Sequence, residues 1–161
     1  MKTLILDNEF NQSIDNLSDD IKKLVIGNKF NRTINKLPKD LKILIIGNKF
    51  DQLIDKLPDS LQILNIKNDS IPNELSFFFG GFNQCIDYLP NNLEELNLGN
   101  DFNKDIHFLP SKLKKLTFGY SFNRSIFILP ESLEEITLRE TINLPETSKN
   151  IKINILTWSD N

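Results

Sequence analysis

The sequence predicts a mainly β, right-handed solenoid of about 20-residue coils, with one parallel sheet on its concave side and little or no α-helix. Three observations carry this. Phe10, Phe30 and Phe50 recur at one constant interval, and Phe82, Phe102 and Phe122 repeat that interval. A Leu-Pro step or a close equivalent opens each unit, and each unit holds one short period-two apolar stretch with no 3.6-residue pattern. One such unit cannot bury its own Leu, Ile and Phe, whereas stacked neighbours make them a continuous core.

Within a unit, Leu37-Pro38 is followed by Leu41, Leu44, Ile46, Gly47, Phe50, Asp51 and Ile54, and then by Leu57-Pro58. Other units open at Leu17-Ser18, Ile71-Pro72, Leu89-Pro90, Leu109-Pro110, Leu129-Pro130 and Leu144-Pro145. The alternating pairs Leu24/Ile26, Leu44/Ile46, Leu64/Ile66, Leu96/Leu98, Leu116/Phe118 and Ile136/Leu138 each read as a short half-buried strand. About eight strands at a spacing of about 4.8 Å would make a rod on the order of 40 Å long. Gly27, Gly47, Gly99 and Gly119 close strands, where a positive φ is expected. The Phe that follows is expected to stack as a spine on the wall opposite the sheet. The next residue, Asn11, Asn31, Asn83, Asn103 or Asn123, is expected in a turn, bonded to backbone groups.

Two units are irregular. The start at Ile71 follows Leu57 too soon for a full coil and Phe82 is also early, which reads as about eight residues missing across that junction. The apolar run Ser76-Phe77-Phe78-Phe79-Gly80-Gly81 would fill a local kink there. A similar shortening separates Leu129 from Leu144, after which Ile151, Ile153 and Ile155 read as a last strand within a C-terminal cap at about 144–158. One domain, 1–161, is expected.

Composition excludes several classes. With 19 basic against 22 acidic residues the chain lacks the basic excess that phosphate neutralisation demands, so no nucleic acid partner is expected. No stretch of 18 apolar residues and no signal-like start are present, so a soluble, cytoplasmic protein without membrane association is expected. The single Cys85 cannot form an internal disulfide.

The motif Phe-Asn-x-x-Ile-x-x-Leu-Pro, complete in Phe30-Asn31-Arg32-Thr33-Ile34-Asn35-Lys36-Leu37-Pro38, resembles the FNIP repeat, a leucine-rich-repeat variant of social amoebae and giant amoeba-infecting viruses. It returns at Phe10, Phe50, Phe82, Phe102 and Phe122, with Ser18 in place of Pro and Asp51 in place of Asn. The resemblance implies a curved leucine-rich-repeat solenoid with a protein-interaction role. The implied partner is a host protein or a ubiquitin-pathway client, met in the host cytoplasm if the chain is viral. Some members join these repeats to an F-box that recruits a ubiquitin ligase; with a first strand expected to begin near Lys2, no F-box is expected here. The Leu-Pro-x-x-Leu-x-x-Leu-x-Ile core also resembles short repeats of bacterial effector proteins, which lack the Phe-Asn step.

Two surfaces are candidate sites. On the outward strand face, Ile5, Val25, Ile43, Ile45 and Ile63 would form one apolar patch, and such patches mark binding surfaces. High β-propensity alone would also place isoleucines there. The other half of that face interleaves Glu94, Lys114 and Glu134 with Glu95, Lys115 and Glu135, which reads as cross-strand pairing rather than acid-base chemistry or a metal site. A second patch stands before successive Leu-Pro steps at Tyr88, His107, Phe108, Phe127 and Ile128, where earlier units carry the polar Asp15-Asn16, Asn35-Lys36 and Asp55-Lys56. These aromatics either meet a partner or pack on one another and under the C-terminal segment.

Catalysis is not expected. Cys85 shares a column with Ser13, Thr33, Leu53, Asp105 and Ser125, and no third group is evident to orient it with His107. No phosphate loop, metal motif or cofactor motif is present. The expected function is a non-enzymatic scaffold that binds a partner on the strand face. The alternative is a structural protein whose copies join through the apolar face, or pair as a homodimer through an open N-terminal edge at Thr3-Leu4-Ile5-Leu6.

Overall fold

The computed structural model describes residues 1–66, 81–139, 142–146 and 150–157. Its strands are β1 (Lys2–Leu6), β2 (Ile21–Ile26), β3 (Ile43–Ile46), β4 (Ile63–Ile66), β5 (Glu95–Asn97), β6 (Lys115–Thr117), β7 (Glu135–Arg139) and β8 (Lys152–Leu156). They form one eight-stranded parallel sheet in sequence order. No α-helix occurs among the described residues. The chain is a solenoid: each strand turns, returns through irregular backbone, and pairs beside its predecessor.

The repeat explains each turn. Proline carbonyls accept the N–H three residues on, as in Leu41 to Pro38, Leu61 to Pro58 and Leu113 to Pro110 at 3.0–3.1 Å. Ser18 accepts from Ile21 in the same way, so the departure from proline leaves that turn intact. Leu24, Leu44, Leu64, Leu96, Leu116 and Ile136 align in register as one buried column. The described core contains no buried polar or charged residue, so side-chain packing between coils, rather than polar networks, fills the interior.

The recurring Phe rings stack from Phe10 to Phe122 with centroids 6.0–6.2 Å apart and planes within 16°. The spine's place differs from expectation. Phe118, on the inner face just past β6, lies 4.0 Å from Phe122. The spine therefore stands at the corner where strand becomes turn, because each Phe follows so soon after the strand's last inner residue, as Phe30 follows Ile26.

The Asn after each Phe does bond to backbone, and its partner lies on the next coil. Asn11 Oδ1 accepts the Asn31 N–H, Asn31 that of Asp51, Asn83 that of Asn103, and Asn103 that of Asn123, at 2.9–3.1 Å.

Three of the four glycines act differently from expectation. Of the four strand-closing glycines Gly99 has the expected positive φ, at 71°, and Gly27, Gly47 and Gly119 do not. At Gly47 an added Cβ would lie 2.5 Å from Asn28 Cα, so glycine is required there by the closeness of the preceding coil.

The irregular junction is also corrected. β4 pairs directly with β5, Leu64 opposite Leu96. One long coil therefore stands where two shortened coils were expected, and it carries an insertion rather than a deletion. The unit start expected at Ile71-Pro72 lies outside the described residues. The kink expected over Ser76–Gly80 lies outside the described residues, as does Trp158 of the expected cap. At the other irregular unit, Ile136 pairs with Ile153, closer along the chain than any other pair of neighbouring strands, so a shortened coil is present there. Ile153 and Ile155 stay 44% exposed on the inner columns of β8.

Candidate partner-binding surfaces

The register assembles the strand-face patch. Ile5, Val25 and Ile45 are successive neighbours in one outward column, and Ile43 and Ile63 are neighbours in the adjacent one. Ile5 is 70% exposed and the other four are half-buried. Beyond Ile45 the first column turns polar, through Asn65, Asn97, Thr117, Thr137 and Asn154. The second column turns to alternating charge, through Glu95, Lys115, Glu135 and Lys152.

Those charges pair across strands. Lys114 Nζ lies 2.7 Å from Glu94, Lys115 3.7 Å from Glu95, and Lys152 2.9 Å from Glu135. Bonds from Lys114 and Lys152 hold the Glu94 and Glu135 carboxyls below the usual range. Exposed pairs of this kind contribute only tenths of a kcal/mol to about 1 each. They favour the register and neutralise three of the four glutamates of this half, Glu94, Glu95 and Glu135. Among the described residues no group of His, Cys, Asp and Glu is arranged to hold a metal ion.

The second patch is also brought together. Tyr88, Phe108 and Ile128 occupy one column on three successive coils, with exposures of 75%, 71% and 78%, and Phe127 beside them is 79% exposed. No described segment covers them. Between their coils lies a depression of about 580 Å³ lined by Ile106, Phe108, Leu109, Phe127 and Pro130, with His107, Ser111 and Glu131 among its polar groups.

His107 has the third group that sequence reasoning missed. Asp87 Oδ2 is 3.1 Å from His107 Nδ1 and accepts from Cys85 Sγ at 3.2 Å, and Asp87 Oδ1 accepts the His107 backbone N–H. Burial raises the Asp87 carboxyl pKa, but the bonds from Cys85 and His107 outweigh it and hold that pKa below the usual range. The carboxylate sits between thiol and imidazole, so the imidazole is not set to take the thiol proton as a nucleophile's base would be. The signal available in sequence was the offset of one full coil between Asp87 and His107, which puts them in one column.

The FNIP Repeat family profile matches residues 10–49, 82–121 and 102–141, more than half of the chain. The chain belongs to the FNIP repeat family. Among solved structures, that of CroV588, from the giant virus CroV and described as a novel circular LRR protein structure, matches this FNIP chain with a TM-score of 0.80 at 31% identity. The match covers 97% of this chain and 24% of CroV588, so the chain spans about a quarter of that protein's length. No curated protein sequence matches. The leucine-rich-repeat-like solenoid is a fold that commonly mediates protein–protein interaction, and repeat scaffolds of this type are typically non-catalytic. No helix among the described residues is long and apolar enough to cross a membrane.

Proposed function

We propose that this FNIP solenoid is a non-enzymatic interaction module that holds a partner protein on its outward strand face, through Ile5, Val25, Ile43, Ile45 and Ile63. The observation that supports this reading is the register that makes five β-branched side chains into one patch over four strands, next to a half of the same face that carries cross-strand ion pairs. An apolar patch bordered by polar ladders has the anatomy of an interface core and rim. The partner on this reading is a host protein of the cytoplasm.

A second reading is favoured by the circular neighbour: the sheet is one arc of a longer solenoid, its further coils supplied by the same polypeptide or by other copies. The half-exposed Ile153 and Ile155 of β8 and the partly buried Leu4 and Leu6 of β1 lie on the inner columns that such coils would cover.

The test compares wild type with the double substitution Ile43→Lys and Ile45→Lys, in capture from amoebal extract and in light scattering behind a sizing column. Loss of a specifically captured protein, with both forms monomeric, supports the scaffold. A partner retained by both forms sinks the strand-face assignment. A dimer or filament of both forms supports the arc reading, and an oligomer broken by the lysines makes the patch a contact between copies.

A further inference from the structure

We propose that the Tyr88–Phe108–Ile128 column and the adjoining His107–Phe127 column seat the apolar face of an amphipathic α-helix presented by a partner protein. This surface is separate from the strand face and stands or falls independently of it.

Three observations point to a helix. The first is pitch. Exposed apolar side chains stand one per coil on three successive coils, and the coil repeat runs from about 4.8 Å between strands to 6.0–6.2 Å along the Phe spine. A helix laid along the columns advances about 5.4 Å per turn, inside that interval, so residues three or four apart meet successive coils. An extended peptide repeats its same-face side chains every ~6.6–6.8 Å, outside it.

The second is shape. The depression of about 580 Å³ between Phe108 and Phe127 lies within the size range of ligand pockets, and it accepts large side chains from a helix crossing the two coils. The third is charge. Glu131 lines the depression and makes no ion pair among the described residues, while His107 is held by Asp87. The free carboxylate matches a Lys or Arg beside the helix's apolar stripe. The preceding coils are polar at the equivalent positions, Asn35-Lys36 and Asp55-Lys56, so the repeat does not require aromatics here.

The test pans a phage library of random peptides, each long enough for four helical turns, on the whole chain and measures synthetic peptides from the enriched pool by fluorescence anisotropy. The expected peptides carry apolar residues at i, i+4 and i+7 with a flanking Lys or Arg, and gain helical circular dichroism when bound. Phe127→Ser is expected to weaken them by about tenfold or more. Glu131→Lys is expected to weaken them severalfold, and Ile43→Lys with Ile45→Lys to leave them unchanged. Thermal melts verify that the exposed substitutions leave the fold intact. The proposal is overturned by an empty pool, by period-two sequences, or by binding indifferent to Phe127→Ser. Adsorption to phosphatidylcholine vesicles that Phe127→Ser abolishes would reassign the patch to a lipid surface and also overturn it.

Discussion

Asp51 Oδ1 accepts the backbone N–H of Asn83 at 2.8 Å, the same bond by which Asn11 holds Asn31, although the pair is separated by a much longer stretch of chain. Phe50 and Phe82 likewise stack at 6.1 Å across the long coil. The frame is therefore indifferent to what is inserted between Ile66 and Phe82, a far longer interval than the regular one from Ile26 to Phe30. Replacing residues 67–81 with the Gly-Asn-Lys of 27–29 should preserve the fold and raise stability by about 1 kcal/mol, since each halving of a loop recovers about 0.6 kcal/mol. Urea unfolding checks this. A lower midpoint, or loss of a single cooperative transition, would show that the insertion supports the core.

The Phe spine should be most sensitive at its centre. Phe102 is fully buried and stacks with Phe82, Phe118 and Phe122. Phe102→Ala should cost about 3–5 kcal/mol. Phe10 is partly buried and has one ring neighbour, so Phe10→Ala should cost less than half as much. Equal losses measured by chemical denaturation would contradict the coil-to-coil origin of this packing.

Asn65 stands on the outward face of β4, between Ile45 and Asn97 in its column, and its Oδ1 is enclosed without a hydrogen-bond partner among the described residues. An enclosed acceptor left unpaired costs about 1–3 kcal/mol. Asn65→Val continues the Ile5–Val25–Ile45 column and should stabilise the chain by about 1 kcal/mol, the lower end of that cost. A lower melting temperature for this variant would mean that the amide is satisfied in solution.

Asp101 titrates in the opposite sense from the paired surface acids. Burial raises its carboxyl above the usual range and the Asp51 charge adds to this, against the Gly81 N–H bond. A folded-state pKa above the unfolded value means that ionisation is penalised in the native state. The stability is complete below the unfolded value and is lost as pH rises through the folded one. Asp101→Asn keeps an acceptor for Gly81 and should stabilise the protein at neutral pH by less than about 1 kcal/mol, given solvent screening. The gain should fade as pH falls toward the ordinary carboxylate range. Asp20 and Asp40, held low by Lys2 and Lys22, lose their contributions on acidification in both proteins. Melts of the two forms at several pH values isolate the Asp101 effect, and a pH-independent difference would rule it out.

The fold was legible because its cause is periodic. Phe spacing, Leu-Pro steps and alternating strands each repeat at the coil length, and the register of Ile5, Val25 and Ile45 follows from counting. What remained hidden depends on coil against coil. The reason for Gly47 is the Asn28 backbone, which no local propensity reports. Ile71-Pro72 has the composition of a unit start, and only the direct pairing of Leu64 with Leu96 reveals that one coil, not two, separates those strands. The tie from Asp87 to His107 depends on their shared coil position, which the chemical types of Cys85 and His107 do not report.

The asparagine ladder also has a direction. Each Oδ1 faces the coil that comes later in the chain and receives that coil's N–H. During synthesis the acceptor of one coil is therefore already in place when its donor, one coil behind it, leaves the ribosome. Every long-range bond of the ladder becomes a nearest-neighbour event in time as well as in space. The molecule can be laid down in order, each finished turn serving as the template for the next.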